Sequence, residues 1–136
     1  MDLDLAREFV RKHHRAVLTT YYPDGRAQVS PVTVGLAAEG HVVVSTRETA
    51  VKTRNLATDP RVVLCVLTEE FFGPWVLIEG RAEVTHLPEA MDGLIDYYRR
   101  IRGEHPDWDD YRAAMERDQR VIVRVTITRA GPDHHG

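Results

Sequence analysis

Two runs of this chain, Val62 to Leu67 and Trp75 to Ile78, are apolar without interruption and read as strands. A strand that is apolar on both sides needs both sides covered. In a small barrel one side fills the lumen. The other then needs a helix or a second copy of the chain, and a homodimer is the economical answer. The loop between the runs, Glu69 to Pro74, carries Phe71 and Phe72, and Gly80 to Thr85 continues the second run with Ala82 and Val84 alternating against polar neighbours.

The rest of the chain supplies partners for these strands. Leu3 to His14 reads as an amphipathic helix, with Leu5 and Phe9, and Ala6 and Val10, paired at four-residue spacing. Ala16 to Tyr21 and Arg26 to Val34 flank the turn Tyr22-Pro23-Asp24-Gly25 and form a hairpin. Pro31 lies inside the second arm, which places that arm at an edge, in a bulge, or unpaired on one side. His41 to Thr46 is a third strand after the Glu39-Gly40 turn, and Thr49 to Leu56 a short helix stopped by Thr58-Asp59-Pro60. Pro88 to Arg102 and Asp107 to Arg117 are helical in pattern, Val121 to Ile127 is the last strand, and the tail from Ala130 to Gly136 is expected to be loose. Six turn-linked strands with few helical crossovers favour a mainly β, antiparallel barrel with short helices over a doubly wound sheet. At 136 residues the chain is read as one such domain, residues 1–136.

Composition narrows the function classes. A net charge of −3 and a pI near 6.1 give no broad attraction to nucleic acid or anionic membrane. No apolar run approaches the roughly 18–20 residues that cross a bilayer, and Met1 to Arg15 lacks the apolar block of a signal peptide. The single cysteine, Cys65, excludes an internal disulfide and fits a reducing cytoplasm, where an apolar strand holds it as inert packing. There is no HExxH, Cys pair, P-loop or dinucleotide fingerprint.

One stretch carries chemistry. From Val44 to Asn55 a strand ends in Ser45 and Thr46, turns, and enters a helix with Arg47, Lys52 and Arg54 close by. Helix-start N–H groups, hydroxyls and cationic side chains together suit phosphate oxygens. A solvated basic helix is the plainer alternative. In the strand before it, Gln28, Ser30, Val32 and Val34 point one way and Ala27, Val29, Pro31 and Thr33 the other. The interruption at Pro31 leaves backbone groups free to meet a ligand edge.

The order of these elements, with Lys52-Thr53-Arg54-Asn55-Leu56, Asp59-Pro60-Arg61, Glu79-Gly80-Arg81-Ala82 and the Gly103 to Arg112 segment containing Trp108-Asp109-Asp110-Tyr111, resembles a known family. It is similar to the pyridoxamine 5'-phosphate oxidase-like, FMN-binding type of split β-barrel, in the actinobacterial branch of coenzyme F420-dependent oxidoreductases. The resemblance runs from about Leu5 to Thr128. It implies a homodimer with two cofactor sites at the subunit interface. The cofactor phosphate is expected against Ser45, Thr46, Lys52 and Asn55, with Arg47 and Arg54 as further anchors. The ring is expected along Gln28, Ser30, Pro31 and Val32, and Trp75 lies in the strand that helps build the dimer and the neighbouring site. Relatives often carry an arginine two residues before the lysine; here that position is Ala50, and Arg47 is the nearest replacement. The activity implied is hydride transfer from reduced F420 to a small electron-poor organic acceptor, with FMN as the alternative cofactor and a carrier without turnover as the alternative role. No residue stands out as catalytic, and the loop Glu69 to Pro74 is the kind that contacts substrate.

Overall fold

The computed structural model describes residues 1–136. Six strands form one closed antiparallel barrel: β1 (Arg15–Tyr21), β2 (Ala27–Leu36), β3 (Val42–Arg47), β4 (Arg61–Leu67), β5 (Trp75–Thr85) and β6 (Arg120–Asp133), in the spatial order β1-β2-β3-β6-β5-β4. Four helices accompany them: α1 (Leu3–Lys12), α2 (Val51–Leu56), α3 (Met91–Arg102) and α4 (Trp108–Arg117). No helix is long and apolar enough to cross a membrane.

Alternation builds the core. Leu18, Val34, Val42, Val44, Leu64, Val66, Val76, Ile78, Val123 and Val125 all point inward and are essentially inaccessible. Each such side chain stabilises the fold by about 1.5–3 kcal/mol of removed apolar surface. Ala6 and Val10 of α1 and Leu56 of α2 join this cluster. The Asp2 side chain accepts the Asp4 N–H to start α1, and Asp107 accepts that of Asp110 to start α4.

A second cluster lies outside the barrel, where Leu94 and Ile95 of α3 and Tyr111 of α4 pack on Val43 and Ile122. The two C-terminal helices therefore cover the β3–β6 side. On β1, β4 and β5 the outward residues are in register without such a cover. Val17 faces Cys65, which faces Leu77, and Leu67 faces Trp75. All five are half-buried, as is Val63. The two apolar runs thus fill the lumen with one side and leave the other open. Burial pushes the Cys65 thiol up, which fits a packing role.

Trp75 to Ile78 and Gly80 to Thr85 form one continuous strand, as the sequence reading has it, with register shifts against β6. Two other boundaries differ from that reading. The short helix begins at Val51 rather than Thr49, after a turn in which the Ala50 N–H donates to the Arg47 carbonyl. The tail is not loose from Ala130: β6 continues through it, pairing Ala130 with Ile78 and Asp133 with Val76. A residue that can extend an existing ladder gains cross-strand hydrogen bonds that local composition does not reveal.

Candidate functional site

The barrel is split between β2 and β3. These strands pair only from Val34 to Leu36, against Val42 to Val44, while β2 follows β1 from Ala27 to Thr33. The Val34 N–H donates to the His14 carbonyl at 2.8 Å, which fixes the hydrogen-bonding phase of the hairpin. Even-numbered β2 residues turn their backbone polar groups toward β1; Val29, Pro31 and Thr33 turn theirs into the split. Pro31, with no N–H to offer, stands on the unpaired side, one of the three positions its ring allows.

Tyr97 of α3 sits in the wedge. Its hydroxyl donates to the Thr33 carbonyl at 2.7 Å and lies beside the Ser45 backbone, and burial pushes it up. Tyr98 and Tyr111 continue the aromatic wall. Tyr98, His105, Trp108 and Tyr111 pack mutually with ring centres 5.1–5.7 Å apart. The Tyr111 hydroxyl donates to the Leu94 carbonyl at 2.8 Å, and burial pushes its pKa up to about 12. The Trp-Asp-Asp-Tyr segment therefore docks α4 on α3 and presents tyrosines to the split.

The resulting cavity is about 650 Å³, within the usual range for small-molecule sites. Pro31, Val32, Ser45, Thr46 and Lys52 line it, and the Lys52 ammonium donates to Ser30 Oγ across the split at 3.3 Å. Lys52 is lowered from the ordinary lysine range, first by burial and then by the neighbouring Arg120 charge. Arg120, at the start of β6, lines the same cavity, and its Nε is buried without a hydrogen-bond partner. No carboxylate lines the cavity. Arg102 of α3 lines it too, and three cations in a lining without an acid fit an anionic ligand.

The other expected anchors are elsewhere. Asn55 is buried, and its amide donates to Thr20 Oγ1 at 3.1 Å, which in turn donates to Gln28 Oε1 at 3.3 Å. This chain ties α2 to the hairpin and occupies both Asn55 and Gln28. Arg47 and Arg54 are exposed and do not line the cavity. Arg47 contributes its carbonyl, which accepts from Thr53 Oγ1 at 2.6 Å. Trp75 lies on the open outer face of β5, away from this cavity. Ala50 provides no side-chain cap to α2. Arg120 of β6, not Arg47, is the arginine that lines the cavity beside Lys52.

Arg120 and the tyrosines were missed by sequence reasoning. A signal existed for the tyrosines: Tyr97 and Ile101, and Tyr98 and Arg102, share a helix face at four-residue spacing. Arg120 gave none, because only the β3–β6 register places it opposite Arg47. The Asn55 assignment yields a prediction. Asn55→Leu should lower stability by about 1–2 kcal/mol through the buried Thr20 Oγ1 left without its donor, while changing phosphate-ligand affinity less than twofold. Thermal unfolding and a binding titration check the two halves.

Comparison with known proteins agrees with this architecture. The family model described as pyridoxamine 5'-phosphate oxidase matches residues 3–132. A conserved hypothetical protein from Mycobacterium tuberculosis has a similar structure, with a TM-score of 0.76 at 25% identity over 96% of this chain and 82% of that one. An F420 reductase shares the fold at a TM-score of 0.67 and 20% identity, covering 92% of this chain and 94% of its own. So does a heme storage protein from Vibrio cholerae, at 0.71 and 18%, covering 98% and 96%. With its six-stranded barrel, its split and a family match over nearly its whole length, the chain belongs to the pyridoxamine 5'-phosphate oxidase family.

Proposed function

We propose that the chain is a homodimeric oxidoreductase that holds a phosphorylated deazaflavin, coenzyme F420, in the split and reduces a small electron-poor organic acceptor. The observation that carries this reading is the Lys52–Arg120 pair, two of the three cations lining one acid-free cavity, with the Arg120 Nε buried and unpartnered. A cofactor phosphate supplies the missing acceptor oxygens. The ring would lie against β2, where Pro31 and Val32 line the cavity and the Pro31 carbonyl faces the split, with the tyrosine wall opposite.

When bound, the cofactor supplies the hydride chemistry. The protein's part is to bind, orient and exclude water. Lys52 and Arg120 fix the phosphate, Ser30 holds the ammonium in place, and Tyr97 fixes the spacing of β2 and β3. No side chain in the cavity is assigned a proton-transfer role. Titration of purified protein with F420 and with FMN, followed by fluorescence quenching, tests the reading. Micromolar F420 binding with turnover on an enone or quinone panel supports it. FMN binding alone makes the alternative cofactor correct, and binding without turnover makes the protein a carrier.

The open face of β1, β4 and β5 supports the dimer. Val17, Val63, Cys65, Leu67, Trp75 and Leu77 form one apolar surface, and α3 and α4 are committed to the other side of the barrel. In such a dimer Trp75 reaches a cofactor site only across the interface. Leu77→Arg places a charge in the middle of this face and should convert a dimer to a monomer in sedimentation velocity. A wild-type chain that sediments as a monomer would remove the dimer from the proposal.

A further inference from the structure

A separate cavity of about 690 Å³ lies between the β5–α3 connection and α4, and Arg120 is the one residue it shares with the split. Its volume suits a small organic molecule. Leu87 and Met91 form its apolar side and are themselves backed by the cluster around Leu94 and Tyr111. Glu48, Glu116, Arg112 and Arg120 also line it and their charges cancel, whereas the charged residues of the split are all cations. No two of these four side chains pair with each other. Glu48 Oε2 is taken by His86 Nδ1 at 2.7 Å. Arg112 and Glu116 stand one turn apart on α4, about 5–6 Å between Cβ atoms, with the cation first, which is the weaker order for a helical ion pair. Arg112 reaches instead toward the exposed Asp109, 3.5 Å away, and Glu116 has no ion-pair partner.

An unpaired acid and a weakly paired cation one helical turn apart, beside an apolar wall, match a ligand that carries both charges close together and an apolar arm. We infer that this cavity is a binding site for a free α-amino acid with an apolar side chain. Its carboxylate lies on Arg112, its ammonium on Glu116 and its side chain against Leu87 and Met91. With Glu48 closed against His86, Glu116 is the acid left for the ammonium. Arg120, in the wall common to both cavities, adds positive charge for the carboxylate. A peptide terminus offers only one of the two charges at this spacing, so the free amino acid is the form selected. Occupancy does not require a phosphate in the split, because neither Arg112 nor Glu116 lines it.

Methyl NMR of the protein titrated with leucine tests the site. Saturable shifts should appear at the Leu87 and Met91 methyls, with a Kd of about 1 mM or tighter. Two truncated analogues separate the head groups, since 4-methylpentanoate lacks the ammonium and 3-methylbutylamine the carboxylate. Each should bind at least about tenfold more weakly than leucine. Glu116→Gln should weaken leucine about tenfold and leave 4-methylpentanoate unchanged. Arg112→Gln should weaken leucine and 4-methylpentanoate alike and leave 3-methylbutylamine unchanged. Both side chains are exposed, so the fold should be retained. Glu70→Gln removes an acid from an exposed position outside both cavities and should change nothing. The absence of saturable shifts at Leu87 and Met91 up to about 20 mM leucine would overturn the site. So would analogues that bind as tightly as leucine, or a Glu70→Gln effect equal to that of Glu116→Gln.

Discussion

Lys52→Ala is expected to weaken F420 binding by more than tenfold while leaving the barrel folded, and Arg120→Ala to do the same. Each removes one charge-assisted hydrogen bond to phosphate, an interaction of about 1.5–3 kcal/mol, which corresponds to about 10- to 150-fold in affinity. Neither side chain belongs to the core clusters, so thermal unfolding of the free protein should be little changed. Affinity unchanged in both variants would place the phosphate elsewhere.

The pH dependence separates the two residues. Burial and Arg120 lower the Lys52 pKa in the free protein, and a bound phosphate, bringing negative charge, raises it. Affinity should therefore fall as pH rises through the free-state value, and binding between the two values should take up a proton. The sign for folding is opposite to that of a lysine held by an acid. The unfolded chain binds the proton more readily, so the lysine's penalty is fully present below the lowered pKa and fades as pH rises toward the unfolded value. Removing Arg120 takes away the second cause of the depression. Arg120→Ala should therefore move the affinity decline to higher pH, whereas Lys52→Ala should abolish the component of it due to this group. Calorimetry in buffers of different ionisation enthalpy reads the proton count directly.

The barrel was legible because alternation and turn chemistry are local. The Pro-Asp-Gly turn, the Pro31 interruption and the two apolar runs each specify something about neighbours, and the closed six-stranded order satisfies all of them. The site was legible only where it is local too. Pro31, Val32, Ser45, Thr46 and Lys52 lie on adjacent elements, and the split joins them. The readings of Asn55 and Gln28 assigned polar side chains to a ligand, and in the fold each also bonds Thr20 on β1. A buried amide takes the partner that the fold places nearest, and that partner lay 35 positions away in sequence. Arg120 shows the converse. Its place in the cavity comes from a register with β3 and from a lining that holds no carboxylate, and neither is encoded in the residues flanking it.

Gly80 carries the largest expected effect on stability. It lies in β5, paired with Val62 on one side and Ile127 on the other, at a register shift beginning at Glu79. Its backbone approaches β6 so closely that a Cβ would sit 2.5 Å from the Thr126 carbonyl oxygen and 2.6 Å from Val125 Cγ1. The carbonyl belongs to the ladder and cannot yield as a side-chain tip would. Gly80→Ala should therefore cost about 3 kcal/mol or more, the upper end of overpacking penalties. Gly93 provides the counter-case on α3, where a Cβ would meet only Ile122, at an ordinary 3.4 Å. Gly93→Ala should stabilise by about 0.5–1 kcal/mol, because alanine loses less backbone freedom in a helix. Denaturant unfolding of the two variants should move in opposite directions. A neutral Gly80→Ala would mean that β5 and β6 separate at the bulge without loss, and that the register shift there is not fixed by the glycine.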